Sequence, residues 1–224
     1  MCFEVIFVGN DLKDFLAQLQ EKLKSIDYVK TEDIPNIGLY MDQVTTFMDE
    51  QLEACKRYDD DKILTKTMIN NYAKNNLLPP PVKKKYSKEH LLIMIFIYYF
   101  KNFLSIKDIE TMLTPITDKY FDTDKDFDIT SIYKEVCELE KSRIPEFEKE
   151  IIRSYNTSKK SFVELPEDDR DSLQLFAFIC NLSFDIYVKK QIVEKLLDNF
   201  PDLLHSEKKN SNKKDSNKDT KKKK

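Results

Sequence analysis

The 224-residue sequence contains no tryptophan, only two glycines and only two histidines. The shortage of glycine argues against a loop-rich fold and against the glycine-rich loops that bind phosphate groups. The four cysteines are widely scattered, and no two of them have the spacing of a CxxC metal motif. We therefore expect no metal site, no cofactor and no disulfide framework. Because no evident catalytic motif is present either, we do not expect an enzyme.

Long hydrophobic runs are absent as well. The longest run, residues 91–100, holds ten residues, whereas a membrane-spanning helix needs about 20. The first eight residues, MCFEVIFV, lack the length and the cationic flank of a secretory signal. We therefore expect a cytoplasmic protein with no membrane partner.

Positive charge is concentrated in one part of an acidic chain. Residues 206–224 hold nine lysines against three acidic residues, which leaves 28 basic and 37 acidic residues, a net charge of minus 9, among residues 1–205. Residues 62–101 hold eight lysines against Glu89 alone, a net charge of plus 7. A basic segment of this kind is typical of nucleic-acid binding, although a run of charges is also often only solvated surface.

Within the basic segment, the sequence predicts a short amphipathic helix that begins at Thr65 and stops at Asn76. Its apolar side would carry Leu64, Met68, Ile69 and Tyr72, and its opposite side would carry Thr67, Asn70, Asn71 and Lys74. Asparagine can pair with adenine, threonine can contact a thymine methyl group, and lysine can contact guanine or phosphate. We interpret this side as a recognition surface for a DNA major groove, with an ordinary solvated helix face as the alternative.

A stiff basic stretch follows this helix. Three consecutive prolines, residues 79–81, prevent the helix from continuing. The next residues are Val82, Lys83, Lys84, Lys85 and Tyr86. We expect a short hairpin here, in which Lys83, Lys84, Lys85 and Tyr86 contact a DNA backbone.

Two further helices are predicted after the hairpin. Ser87 is placed to cap a buried central helix over residues 91–100, although the alternating isoleucines within that run leave a buried strand as an alternative. Ser105 and Asp108 form a capping box for a short helix that Pro115 would end. Upstream, apolar spacing predicts helices over about residues 11–25 and 39–57.

The C-terminal part is predicted to be helical. Residues 116–128 are acidic and read as a linker, and helical apolar stripes follow from residue 132 to 155, with Pro145 as a break or first-turn residue. Two more helices are expected within residues 173–200, meeting near residues 181–185. We expect homodimer formation through these C-terminal helices, because DNA-reading proteins gain affinity by binding two half-sites.

Residues 39–113 resemble the MerR family of bacterial transcription regulators. The residues that carry the resemblance are Thr65, Tyr72, Leu77, Leu78, Tyr86, Ser87, Leu91 and the Ser105–Leu113 segment. The resemblance implies a winged helix-turn-helix, with Asn70 and Asn71 at an arginine and an aromatic position of that family, and Lys84 or Lys85 at its wing arginines. The stretches LYMDQVTTFMD, LTKTMINNYAKNNLLPPP and KKKYSKEHLL also look like a family of uncharacterised bacterial proteins with a domain of unknown function.

The expected architecture is mostly α and has four parts. These are an N-terminal helical extension (1–38), a MerR-like winged-helix domain (39–115), a C-terminal helical bundle (116–205) and a disordered lysine-rich tail (206–224), which would either anchor nucleic acid or only aid solubility. We expect a sequence-specific transcriptional regulator that binds double-stranded DNA. The alternative is a protein-protein interaction module that keeps the winged-helix scaffold without DNA binding, which the acidity of residues 1–205 favours.

Overall fold

The part of the chain that the structure describes consists mainly of helices. The computed structural model describes residues 18, 19, 21, 28–123, 125–200 and 202, with the backbone alone for residue 168. Within these residues the elements are β1 (Leu39–Tyr40), α1 (Met41–Gln51), a 3-10 turn (Glu53–Cys55), α2 (Lys66–Lys74), β2 (Lys85–Tyr86), α3 (Lys88–Phe100), α4 (Ile106–Tyr120), α5 (Ile129–Ser158) and α6 (Glu167–Asp198). The prediction of a mostly helical protein is confirmed.

Helix α3 is the centre of the core. Residues 90–98 are all buried, and the helix contacts α1, α5 and β2. A helix that is apolar on every side must be surrounded in this way. The alternative of a buried strand in this segment is wrong, because residues 88–100 form a helix. At the start of this helix the main-chain N–H of Ser87 donates to Nδ1 of His90 at 2.9 Å.

The two strands bring distant parts of the chain together. Leu39 lies opposite Tyr86, and Tyr40 lies opposite Lys85, in an antiparallel pair. The predicted helix over residues 39–57 is therefore shorter than expected at both ends, since its first two residues are extended and its regular α-helix ends at Gln51. Gly38 permits the close approach, because a Cβ atom at this position would lie 3.0 Å from Cβ of Lys85.

The ends of α2 follow the local sequence. Oγ1 of Thr65 accepts a hydrogen bond from the N–H of Met68 at 3.2 Å, which caps the helix as predicted. At the other end Asn76 has a φ of 57°. The N–H of Leu77 then donates to the carbonyl of Tyr72 at 2.9 Å, the bond of a Schellman motif. The predicted start at Thr65 and stop at Asn76 are both confirmed.

Proline does not break the C-terminal helices where the sequence suggested. Helix α4 continues through Pro115 to Tyr120, and α5 continues through Pro145 to Ser158. Both flanks of Pro115 are held by the core, which contains Leu113 and contacts Ile116. An interior proline removes one helical hydrogen bond, and packing on both sides of it offsets that loss.

Helices α5 and α6 form a long antiparallel hairpin. The rings of Tyr155 and Phe178 lie 5.6 Å apart, and Nδ2 of Asn181 donates to Oγ of Ser154 at 3.3 Å. The two helices expected within residues 173–200 are in fact one continuous helix of 32 residues, and no break occurs at residues 181–185. Packing along α5 supports α6 over that length.

One core joins the two predicted domains. Val29, Ile129, Tyr133 and Leu197 belong to the same buried cluster as α1, α3 and α4, and the hydroxyl of Tyr133 donates to the carbonyl of Val29 at 2.8 Å. The predicted boundary at residue 115 lies inside α4. The predicted helix over residues 11–25 lies largely outside the described residues, and the lysine-rich tail lies entirely outside them. No helix in the described part is long and apolar enough to cross a membrane.

Candidate nucleic-acid interface

The predicted recognition residues lie together on the outside of α2. Their side chains are all exposed, whereas Ile69 and Tyr72 on the other side of the helix are buried. We call the exposed set, Thr67, Asn70, Asn71 and Lys74, the polar face of α2. It presents amide, hydroxyl and ammonium groups, which are the groups that hydrogen-bond base edges and phosphates.

The predicted hairpin is a tight turn with unusual backbone angles. The N–H of Lys85 donates to the carbonyl of Val82 at 3.0 Å, and the two residues between them, Lys83 and Lys84, have φ values of 51° and 64°. Positive φ at both central residues is the property of a type I′ turn, which favours Asn-Gly because side chains with a Cβ are strained there. We call residues 82–85 the basic turn. Its three lysines are exposed.

Tyr86 does not share the exposure of the basic turn. Only 4% of its surface is accessible, and its ring packs edge-on against that of His90 with centroids 5.5 Å apart. Burial also raises the pKa of its hydroxyl. Sequence reasoning assigned Tyr86 to the DNA backbone, but a ring in the core cannot reach a phosphate, so we omit it from the proposed contacts.

Lys101 is a structural residue. Its Nζ donates to the carbonyl of Ile63 at 2.6 Å and lies 4.9 Å from the centre of the Tyr98 ring. Burial lowers the pKa of this ammonium group. Because Ile63 precedes the cap of α2 by two residues, Lys101 holds the start of α2 against α3.

Two more lysines of the basic segment are also held by the protein. Lys66 forms an ion pair with a carboxylate of α1, and Lys88 donates to the carbonyl of Thr31. With Lys101, three of the eight lysines in residues 62–101 are held by protein groups. The exposed remainder is Lys62, Lys74, Lys83, Lys84 and Lys85.

Sequence reasoning missed two residues that support the basic turn. Nζ of Lys85 lies 5.1 Å from the centre of the Tyr40 ring, which is itself 53% exposed. Gly38 leaves room for the side chain of Lys85. Such a contact between a cation and an aromatic ring is worth about 0.5–1 kcal/mol at an exposed site. No local pattern revealed either contact, because residues 39 and 40 were assigned to a helix and not to a strand opposite Lys85.

His90 connects the basic turn to the end of α4. Its ring is 2% exposed and packs between the rings of Tyr86 and Phe121, the latter with centroids 4.7 Å apart. Burial lowers the pKa of His90, while the carbonyl groups of Pro79 and Pro80 oppose that shift. Nε2 makes no hydrogen bond of normal geometry. His90 is thus a buried titratable group in contact with Tyr86, the residue that follows the basic turn.

Elsewhere the described residues show little that suggests another ligand. A surface cavity of about 620 Å³ is lined by Glu32, Lys134 and several aspartates. A hydrogen bond from Lys134 lowers the pKa of Glu32 to about 2, so this carboxylate is already compensated. Among the residues with described positions, no group of three His, Cys, Asp or Glu side chains could hold a metal ion.

Part of the chain matches the model of a known protein family. Residues 29–136 match the model of a protein family described as "Domain of unknown function (DUF1836)", so this part of the chain carries that domain. The matched range contains the polar face of α2, the basic turn and all of α3 and α4. A search of curated proteins and a search of solved structures each found no significant match.

Proposed function

We propose that the chain is a sequence-specific transcriptional regulator that binds double-stranded DNA through a MerR-like winged helix-turn-helix. The polar face of α2 would enter the major groove, and the basic turn would contact the flanking backbone. The observation that carries this proposal is the division of α2 into a buried apolar side and an exposed side made only of groups that can hydrogen-bond nucleic acid.

The backbone of the basic turn supports a role beyond folding. Lys83 and Lys84 occupy the left-handed region, which costs roughly 1–2 kcal/mol for each residue that has a Cβ. Strain of this kind is found preferentially at functional sites. Asn-Gly would fold more favourably at this turn than two lysines. The presence of Lys83 and Lys84 is explained if their ammonium groups are needed to bind phosphates.

The electrostatic contribution of residues 62–101, without the lysine-rich tail, can be bounded from the lysines that remain available there. Lys62, Lys74, Lys83, Lys84 and Lys85 are exposed, and each phosphate neutralised changes the slope of log K against log salt by about −0.9. If all five bind phosphates, they contribute about −4.5 to this slope. A salt slope of this size is typical of a protein that contacts few phosphates. Contacts between the polar face of α2 and the bases must then supply the preference for one DNA sequence.

Selection of bound duplexes from a random DNA pool with the full chain tests the proposal. We expect one enriched sequence, and we expect Asn70→Ala to relax preference at one base pair by roughly 1–3 kcal/mol. Asn102→Ala is the matched control, because Asn102 is also exposed but lies outside α2. If no sequence is enriched, or if both variants behave alike, the proposed reader is wrong.

The second candidate is a protein-protein interaction module with this same scaffold. It is favoured by the acidity of residues 1–205 and by the three lysines that protein groups already hold. Replacing Lys83, Lys84 and Lys85 together by serine separates the two candidates. If the full chain and this variant bind random duplex DNA with the same salt dependence, the basic turn does not contact DNA, and the second candidate is preferred.

A further inference from the structure

Two lysines of the basic segment, Lys66 and Lys85, contact the same short stretch of chain at the start of α1. Tyr40 lies opposite Lys85 in the antiparallel pair, and its ring contacts the ammonium group of Lys85. Two residues later, the carboxylate of Asp42 forms an ion pair with Nζ of Lys66, the first residue of α2. Residues 40–42 therefore connect the start of α2 to the basic turn, and the carboxylate of Asp42 lies beside the proposed nucleic-acid interface.

The ion pair between Asp42 and Lys66 lies on the surface. The side chain of Asp42 is 78% exposed, and that of Lys66 is 58% exposed. Exposed ion pairs contribute little to stability, because water solvates both charges and salt screens their attraction. Lys66 can therefore leave Asp42 at a small cost in free energy.

Lys66 differs in this respect from Lys88 and Lys101, the other two lysines of the basic segment that protein groups hold. Those two donate to main-chain carbonyl groups of buried residues. A buried carbonyl group that loses its donor is destabilising, because water cannot replace the hydrogen bond. The exposed carboxylate of Asp42 becomes hydrated when Lys66 leaves, so Lys66 can exchange its partner whereas Lys88 and Lys101 remain held.

The carboxylate of Asp42 serves α2 more than it serves its own helix. At the start of α1, the main-chain N–H of Tyr40 donates to Oε1 of Gln43 at 2.9 Å, so another side chain closes that end. Helix α2 begins with Lys66 and has no acidic residue in its first turn, although negative charge is favourable at a helix N-terminus. Asp42 supplies this charge from α1. A phosphate group in the same place would supply it equally well.

We infer that Lys66 is a further phosphate-binding residue, and that Asp42 takes the place of a DNA phosphate in the free chain. On binding, Nζ of Lys66 exchanges the carboxylate of Asp42 for a phosphate beside the polar face of α2. A duplex carries one negative charge for about every 1.7 Å of its axis, so phosphates compete effectively with a single carboxylate. Asp42 thus lowers the affinity of the chain for any DNA. The inference rests on the proposed DNA binding and adds to it a competing group within the chain.

Titration of random duplex DNA with the full chain at several salt concentrations tests the inference. We expect Lys66→Gln to reduce the magnitude of the salt slope by about 0.9. We expect Asp42→Asn to tighten binding about two- to fivefold, the range that loss of an exposed ion pair allows. Asp49→Asn is the matched control, because Asp49 lies on the same helix and pairs with Lys56 at 3.2 Å, outside the basic segment. It changes the net charge equally, and its effect on affinity should be smaller.

The double variant separates competition for Lys66 from simple repulsion between Asp42 and DNA. If Asp42 competes for Lys66, Asp42→Asn tightens binding less in the Lys66→Gln chain than in the original chain. Circular dichroism checks that each variant is folded, and the lysine-rich tail contributes equally to all of them. An unchanged salt slope for Lys66→Gln, or an equal gain from Asp42→Asn in both chains, would overturn the inference and leave the proposed DNA binding intact. Absence of salt-dependent binding by the original chain would reject both.

Discussion

Nδ1 of His90 accepts a hydrogen bond from the main-chain N–H of Ser87 at 2.9 Å. An imidazole nitrogen can accept a hydrogen bond only while it carries no proton. Because the ring is 2% exposed, water cannot replace this contact. The first turn of α3 therefore depends on the neutral form of His90.

We expect the chain to become less stable as the pH falls below about 6.5, the ordinary pKa of histidine. Burial lowers the pKa of His90 in the folded chain, against the opposing effects of nearby carbonyl groups and Asp122. The unfolded chain therefore takes up a proton at a higher pH than the folded chain. The contribution of neutral His90 is complete above about pH 6.5 and is lost as the pH falls towards the folded-state pKa, by at most about 1.4 kcal/mol per pH unit.

The comparison that isolates this effect uses His90→Gln. Glutamine can accept the same hydrogen bond from Ser87 in a capping box but does not titrate. Urea unfolding at about pH 7.5 and about pH 5.5, on either side of the ordinary histidine pKa, should show a larger loss of unfolding free energy for the original chain than for the variant. Equal losses would mean that His90 does not cause the pH dependence.

Replacing Lys83 by asparagine and Lys84 by glycine should stabilise the fold and weaken DNA binding. Asn-Gly suits the positive φ values of the basic turn, so we expect the free energy of unfolding to rise by about 1–2 kcal/mol. The loss of two phosphate contacts should reduce the salt slope of DNA binding by about 1.8. Thermal unfolding and DNA titrations at several salt concentrations measure the two effects. Unchanged DNA binding in the more stable variant would remove the basic turn from the interface.

Gly38→Ala should destabilise the pairing of β1 with β2. The added Cβ would lie 3.0 Å from Cβ of Lys85, an atom fixed close to the strand backbone. Crowding of this kind costs about 1–3 kcal/mol, and thermal unfolding can detect it. The same change in a Lys85→Gly background should cost less, because the opposing Cβ is gone. An equal cost in both backgrounds would show that the contact with Lys85 is not responsible.

Lys101→Met should destabilise the chain without changing the salt slope of DNA binding. The ammonium group of Lys101 donates to the carbonyl of Ile63 at 2.6 Å, and a hydrogen bond to a charged group contributes about 1.5–3 kcal/mol. Methionine keeps much of the apolar stem but leaves that carbonyl without its donor. Lys84→Ala should have the opposite effects: the salt slope of DNA binding should become smaller, and the free energy of unfolding should change little. A reduced slope for Lys101→Met would place Lys101 at the DNA and contradict its structural role.

Local signals were sufficient for α2. The threonine cap, the apolar spacing and an asparagine that tolerates a left-handed backbone all act within a few residues of one another, so Thr65 and Asn76 were predicted as the helix ends and the polar face was predicted as one surface. The same reasoning failed at Pro115 and Pro145. A proline lowers the local preference for helix, but contacts from other elements decide whether the helix continues.

The sequence by itself determined that this is a mostly helical chain, where α2 begins and ends, and that basic residues gather between positions 62 and 101. These properties follow from spacing and charge along the chain. Only the tertiary structure decided that Tyr86 is buried, that Lys88 and Lys101 bind carbonyl groups 57 and 38 residues away, and that many apolar side chains of α6 are exposed. Burial and pairing depend on contacts between elements that are distant in the sequence, and local sequence patterns do not specify those contacts.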